Sequence, residues 1–329
     1  MKILVALAAV VVLALVPYML APGMQSIFGI AVPYLALVLF IGGFVYRIYS
    51  WASSPVPFRI PTTCGQQTSL DWIKPDKLEN PPDNGSVIAR MILEVLLFRS
   101  LFRNTKAELH EGPKITYGAT KWLWLAALVF HYCFLLILLR HLRFFTEPIP
   151  YFVDAIAAVD GFMQIGLPTL YITTAGLLVA VTYLFLRRVY IPQVRYISLV
   201  NDYFPLFVIL GIGTTGVLLR HFVRSDITGV KELTLSLLQF QPVIPDGLHP
   251  LFFSHLFLVC VLFAYFPFSK LMHLGGVFMS PTRNLANNNR AIHHENPWGK
   301  PAKVYKYADY EDAFREKMKT AGIPLEKEE

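Results

Sequence analysis

The chain has 329 residues, of which 55% are hydrophobic and only 16% charged, with a formal net charge of +7. A soluble domain usually carries about 25% charged residues, and here the charges collect between long apolar blocks, which excludes a large soluble core and reads as a polytopic protein of the lipid bilayer. The positive balance is the Lys and Arg excess that membrane proteins gather on their cytoplasmic face, so no nucleic acid is expected as a partner.

Residues 3–20 are almost entirely apolar after Met1-Lys2. That start also suits a signal peptide. No convincing small-x-small cleavage pattern follows, however, and the run is long enough to cross a bilayer, so a retained first helix is expected. A short Ala-Pro-Gly break at 21–23 leads to a second span at 28–49, closed by Arg47 and the interfacial aromatics Tyr46, Tyr49 and Trp51. Residues 1–51 are thus read as two N-terminal transmembrane helices.

Residues 52–118 form the longest loop, opening Pro-rich and carrying the turn signal NPPDNG. Within it Val87, Ile88, Met91, Ile92, Val95, Phe98 and Phe102 recur near helical spacing, with Arg90, Glu94 and Arg103 between them. This predicts an amphipathic helix on the membrane surface or under a partner.

Spans three to six are expected at 119–142, 165–186, 203–222 and 250–273, giving a four-helix core over 119–275. The tail at 276–329 is polar, with a short charged helix from about 310 to 320. The fold class expected is an all-α integral membrane protein, a bundle of six transmembrane helices with a four-helix haem-binding core. Six spans place both termini on one side. The basic 187–195 loop and the tail mark that side as cytoplasmic, which makes the protein a multi-pass component of the cell membrane. Arg140, Arg143, Arg220 and Arg224 depart from this pattern by clustering at outer helix ends.

Four histidines carry the chemistry. His131 and His141 share the third span, and His255 and His273 lie on the sixth span and its inner end. Ionisable residues inside a bilayer are costly and mark functional sites by default. Along a helix, ten residues cover roughly 15 Å and eighteen roughly 27 Å, so neither pair can ligate one iron from within its own helix. Antiparallel helices instead pair His141 with His255 near the outer face and His131 with His273 near the inner face, as the axial ligands of two stacked haem irons. The unequal spacings leave about 12 Å to be absorbed by tilt, haem slant or a bend, for which Pro267 offers a kink. The competing reading is that each His merely hydrogen-bonds a neighbouring helix.

The other histidines, His110, His249, His293 and His294, receive no ligand role. Of the three cysteines, Cys64, Cys133 and Cys260, none forms a Cys-x-x-Cys pair. Iron–sulfur ligation and covalent haem attachment within this chain are therefore excluded, and any haem is of the non-covalent b type.

The His-x9-His and His-x17-His pairs resemble the respiratory nitrate reductase gamma-subunit family of dihaem cytochromes b over roughly residues 119–275. The stretches PFRIPTTCGQQTSLDWIKP, VIARMILEVLLFRSLFRNTK and NPWGKPAKVYKYADYEDAFREKMKTAGIP are similar to the DsrM family, the membrane cytochrome b subunits of DsrMKJOP complexes in sulfur-metabolising prokaryotes. This resemblance implies two haem b groups as cofactors and menaquinol as substrate. It also implies electron delivery to a cytoplasmic iron–sulfur subunit resembling DsrK, itself similar to heterodisulfide reductases, within a DsrMKJOP-like complex. In the nitrate reductase family quinol binds beside the outer haem. By that resemblance Arg220 and His221 are quinol-site candidates, with His221 as proton acceptor or hydrogen-bond partner, and Arg140 and Arg143 are candidates for pairing with a haem propionate. Rival readings are the cytochrome b of a heterodisulfide or nitrate reductase type complex, a His-dependent proton-coupled transporter, and a cofactor-free membrane anchor. Against the transporter, the sequence has no internal repeat and no pair of broken half-helices.

Overall fold

A computed structural model describes residues 1–54, 68, 72, 74–103, 105–166, 168–288 and 304–327. Its helices, in chain order, begin with α1 (Lys2–Ser26), α2 (Val32–Ala52), α3 (Asn84–Leu97) and α4 (Arg99–Arg103). A hairpin of β1 (Thr105–His110) and β2 (Lys114–Ala119) precedes α5 (Lys121–His141), α6 (Tyr151–Asp160), α7 (Ile172–Tyr190), α8 (Pro192–Ile197) and α9 (Val200–Val217). The chain continues through α10 (Ile227–Leu238), α11 (Pro250–Tyr265), α12 (His273–Gly276), α13 (Pro281–Asn284) and α14 (Tyr307–Thr320). Five helical segments among the described residues are long and apolar enough to cross a membrane: Lys2–Ala52, Lys121–Phe144, Ile172–Tyr190, Val200–Val223 and Pro250–Phe268.

The first of these segments has 51 residues. Drawn out straight it would run about 76 Å, more than twice the ~30 Å hydrocarbon core. It does not run straight. Met24 leaves helical geometry (φ −137°, ψ 35°), and a π-turn follows at Ile27–Ala31. Along α1, Lys2 Nζ donates to Ser198 O at 2.9 Å, Ser254 Oγ donates to Ala14 O at 2.8 Å, and Tyr18 lies beside His249. After the turn, Gly29 sits against Phe253, Phe40 stacks on Phe263, and Ile48 reaches Gly275. Contacts on α11 therefore descend along one arm and climb along the other. The segment is a helical hairpin that clasps α11.

Around this clasp the bundle forms an arc: α5 packs on α7, α7 on α9, and α9 on both α11 and α1. One core cluster, with Ala6, Val10, Leu177, Tyr203, Phe207 and Leu258, lies toward the face that holds the N-terminus; a second, with Ala21, Phe28, Leu233 and Phe253, lies toward the far face. Small residues set the closest approaches, as expected where helix packing has no hydrophobic drive from lipid. A Cβ on Gly176 would meet Cys133 Sγ at 2.8 Å, and one on Gly213 would meet Leu178 at 2.8 Å.

Several expectations are corrected. The span expected at 165–186 is Ile172–Tyr190, because the preceding segment turns through Gly166 at φ +79°. The loops at 144–164 and 223–248 carry the short helices α6 and α10. The chain is not purely α. The 52–118 loop holds an antiparallel hairpin with Leu109 opposite Ile115, turning at Gly112 (φ +79°). Its amphipathic helix is present as α3, capped by Asp83 Oδ1, which accepts from Ser86 N. Its polar side faces the protein, however. Glu94 and Arg90 are buried, Arg283 Nη1 donates to Glu94 Oε2 at 2.9 Å, and Ile88, Ile92 and Leu96 are exposed. Burial pushes the Arg90 guanidinium below its ordinary value, while Glu94 and Glu79 act the other way. In the tail, buried Glu311 accepts from Arg315 and from the backbone of Glu326 and Lys327, so α14 and the segment after it fold on each other.

The sixth apolar segment does not reach His273 as one helix. Pro267 supplies no N–H donor, and Ser269 swings to extended geometry (φ −123°, ψ 178°) between two 3-10 turns. The break is well satisfied. Arg47 Nε donates to Pro267 O at 3.1 Å, and Ser269 Oγ donates to Phe266 O and accepts from Leu271 N. Gly43 lets α2 lie directly on the break, since a Cβ there would come within 2.7 Å of Pro267 Cβ. Gly43→Val should therefore cost about 1–3 kcal/mol through overpacking. Thermal unfolding in detergent would read this as a lowered midpoint; an unchanged midpoint would show that the contact at Pro267 is not tight.

Candidate functional site

The four histidines on the third and sixth apolar segments share one hydrogen-bonding pattern. His131 Nδ1 lies 2.7 Å from Ala127 O, His141 Nδ1 2.7 Å from Ile137 O, and His273 Nδ1 2.9 Å from Lys270 O. A carbonyl only accepts, so the hydrogen-bond partners assign the proton to Nδ1 in each ring and leave the Nε2 lone pair bare. His255 reaches the same tautomer by another route. Its Nδ1 lies 2.9 Å from Thr215 Oγ1, whose hydroxyl donates to Gly211 O at 2.7 Å and so accepts from the ring. Orienting one ring nitrogen and freeing the other is the usual arrangement for a metal-binding imidazole.

The structure brings the expected partners together. The His131 and His273 ring centroids are 5.9 Å apart with perpendicular planes. His141 and His255 lie within electrostatic range of each other. Gly216 keeps α9 clear of His255, where a Cβ would fall 3.3 Å from Cε1. His131 and His141 lie on α5, His255 on α11 and His273 at the start of α12; α5 and α11 stand at opposite ends of the arc and do not pack closely on each other, which leaves a cleft between them. The Pro267–Ser269 break lies between His255 and His273, so the last residues before His273 no longer advance along a single α-helix.

The His131–His273 pair is spaced as a b haem held by two imidazoles would require. Two iron–nitrogen bonds of about 2 Å, with about 1 Å from each nitrogen to its ring centre, give a centroid separation of roughly 6 Å, by analogy with metal–imidazole distances. The inner pair stands near that value. A haem iron takes four nitrogens from its porphyrin and needs only two from protein. Pairs therefore suffice, and among the described residues no group of three or more His, Cys, Asp or Glu is arranged around a metal.

The basic residues at the far face divide into two kinds. Arg140 and Arg220 are engaged by protein. Arg140 Nε lies 3.1 Å from Asp160 Oδ2, its Nη2 donates to Thr173 Oγ1 at 3.0 Å, and its guanidinium stacks 3.7 Å over Tyr171. Asp160 also accepts from Thr173 N and Oγ1 at 2.8 and 2.6 Å. Arg220 stacks on Tyr171 as well, at 4.4 Å, and donates to Thr169 O. Arg143 has only a 3.7 Å approach to Asp154, and its buried Nε, like that of Arg140, makes no hydrogen bond among the described residues. His221 lies in a π-turn, Leu218–Val223, partly buried and without a hydrogen-bond partner among the described residues. Single π-turns of this kind recur at functional sites.

Asp160 is the site residue that sequence reasoning missed. The signal was an acidic residue in an apolar stretch without Lys or Arg, opposite a helix ending in Arg140 and Arg143. His249 proves to be a helix cap, its Nδ1 accepting from Leu251 N, and His110 meets Thr116 Oγ1 at the hairpin. Cys133 and Cys260 are free thiols inside the bundle. Cys64, His293 and His294 lie outside the described residues.

The model of the nitrate reductase gamma subunit family matches residues 96–292. The chain is 43% identical over 285 residues to the Hdr-like menaquinol oxidoreductase cytochrome b-like subunit of Archaeoglobus fulgidus, a match covering 84% of this chain and 85% of that protein. It is 42% identical over 275 residues to the protein so described in Archaeoglobus profundus, covering 82% and 81%.

The pair at the far face makes its own prediction. Asp160→Ala leaves the Arg140 charge buried without its counter-ion, a change that costs about 3–5 kcal/mol. The double variant Arg140→Leu with Asp160→Leu should recover most of that loss. Unfolding midpoints in detergent measure both, and an Asp160→Ala protein as stable as the parent would remove the pair from any structural role.

Proposed function

This chain belongs to the nitrate reductase gamma-subunit family, and from that premise we propose that it is a six-crossing membrane dihaem cytochrome b that oxidises menaquinol and passes electrons to a cytoplasmic iron–sulfur subunit. The observation that carries this reading is the set of four histidines with Nδ1 engaged and Nε2 bare, gathered as His131 beside His273 and His141 within range of His255. His131 and His273 would hold the inner haem, and His141 and His255 the outer one. Bound b haems supply single-electron acceptance and donation.

The crossings follow from the clasp, with α1 and α2 as two of six. Lys2, Arg187, Arg188, Arg195 and Lys270 then gather at one membrane face. The positive-inside rule makes that face cytoplasmic and places both termini there. The 52–118 loop and the tail leave from the same face and are proposed to dock the iron–sulfur subunit. The relatives' name describes a subunit of an Hdr-like menaquinol oxidoreductase, which supports a heterodisulfide-reductase-like partner. The finer form of the proposal is a DsrK-like subunit within a DsrMKJOP-like complex of dissimilatory sulfur metabolism.

Quinol oxidation also releases protons, which need an acceptor at the membrane edge. His221 is placed for this at the outer end of α9, in a backbone turn that Arg220 pins to Thr169 O. Arg143, with only a 3.7 Å approach to Asp154, is the guanidinium left for a propionate oxygen, whereas Arg140 is held by Asp160, Thr173 and Tyr171.

Haem extraction and a reduced-minus-oxidised spectrum of the purified protein should give two b haems per chain. His131→Ala or His273→Ala should remove the inner haem alone, and His141→Ala or His255→Ala the outer alone. A chain that takes up no haem under adequate haem supply would sink the reading. In the second test, His221→Ala should slow menaquinol-driven haem reduction about 100-fold, in the usual range for losing a general base, while dithionite-driven reduction stays unchanged. Equal quinol-driven rates would exclude His221 as the proton acceptor.

A further inference from the structure

Beside the inner histidine pair lies an aromatic ring held in an uncommon backbone state. Helix α3 ends at Leu97, and Phe98 takes left-handed geometry (φ 50°, ψ 45°). Glycine is the ordinary occupant of such a helix-ending position. A bulky residue there is strained and persists only where its surroundings over-determine it.

Those surroundings come from α5, the helix that carries His131. The last carbonyls of α3 have no partner within their own helix. Tyr132 Oη donates to Leu96 O at 2.9 Å, and Trp124 Nε1 donates to Leu97 O at 2.7 Å. Thr120 Oγ1 donates to Leu101 O just beyond. The hinge itself is complete: Phe98 N donates to Leu93 O, and Phe98 O accepts from Leu101 N and Phe102 N. Fixed in this way, the Phe98 ring stands edge-on to His131, with centroids 5.0 Å apart and planes at 79°. His131 is thereby held among Phe98, Phe130 and His273.

We propose that Phe98 is a positioning residue for the inner haem site: its ring fixes the plane of the His131 imidazole and closes that site to water from the 52–118 segment. The proposal rests on the dihaem reading given above. It gives the strained turn a task, because burial and ligand orientation are two of the levers by which a protein sets a haem's potential. It also links the surface to the site. Helix α3, tied to α13 through Glu94 and Arg283, ends in the residue that touches His131.

Two variants separate the ring from the turn. Phe98→Gly keeps the left-handed turn with less strain and removes the ring; Phe98→Leu keeps apolar bulk without the aromatic edge. Each is purified as the full chain in its complex, its haems are counted, and both are titrated by visible and electron paramagnetic resonance spectroscopy. In Phe98→Gly the inner haem should titrate at a lower potential than in the parent, since water favours the ferric form, and its low-spin signal should move. The outer haem should be unchanged, and Phe98→Leu should fall between. Loss of the inner haem from Phe98→Gly alone, with Phe98→Leu keeping it at a shifted potential, supports the same assignment. Two haems in the parent and an identical titration in Phe98→Gly would overturn the role of Phe98 and leave the dihaem reading intact. A parent without haem would overturn both.

Discussion

The structure depends on one constraint: a polar group inside a bilayer has to find its partner within the protein. Each of the four histidines meets it with half of its ring. Nδ1 binds a carbonyl of its own chain segment at His131, His141 and His273, and the Thr215 hydroxyl at His255. The other half, Nε2, makes no hydrogen bond among the described residues. A histidine serving only to staple two helices would spend its ring on the facing helix. Here only His255 reaches across, to α9, and in doing so it is set in the same tautomer as the rest. The shared pattern is what the proposed ligand set rests on.

Holding the cleft open requires that α5 and α11 stay apart while both remain anchored. The arc through α7 and α9 does the first, with Gly176 and Gly213 letting those helices approach closely. The N-terminal hairpin does the second. By clasping α11 from two sides, α1 and α2 replace the packing that α11 would otherwise seek on α5. The same clasp supports the Pro267–Ser269 break, where Gly43 and Arg47 of α2 meet the backbone freed by the proline. The break lies on the path from α11 to His273. Two helices outside the four-helix core thus fix geometry inside it.

Much of this was legible in sequence because the signals were periodic or singular. Apolar runs gave the membrane-length helices, and the histidine spacings gave the neighbours His131 with His273 and His141 with His255. The Pro267 kink followed from chemistry that proline cannot avoid. What was not legible depended on contacts between distant segments. The hairpin at 105–119 carries a weak alternation with one Gly-Pro turn, easily lost inside a loop named for its amphipathic helix. That helix showed its apolar stripe but not which way it faced, since its polar side is buried by Arg283, nearly two hundred residues away. Asp160 was invisible because an acid near the membrane edge acquires meaning only when Arg140 and Thr173 are seen to surround it.

The same pair decides how the far-face charges divide their labour. Taken singly, Arg140, Arg143 and Arg220 are equivalent candidates to face an anionic group beside His141. Burial makes them unequal. Arg140 has traded water for Asp160, Thr173 and the Tyr171 ring, and a guanidinium so enclosed has little left to give a ligand. Arg220 is turned to Thr169 O and the same aromatic face. Arg143, two residues beyond His141, has the weakest engagement of the three, a 3.7 Å approach to the exposed Asp154. The two engaged arginines do the opposite service: through Tyr171 they tie the ends of α5, α7 and α9 together. That junction lies where His141 on α5 faces His255, which α9 orients through Thr215. A shift of any one helix end would carry His141 or His255 with it, so a pair of cations engaged by protein still governs where the two proposed ligands stand.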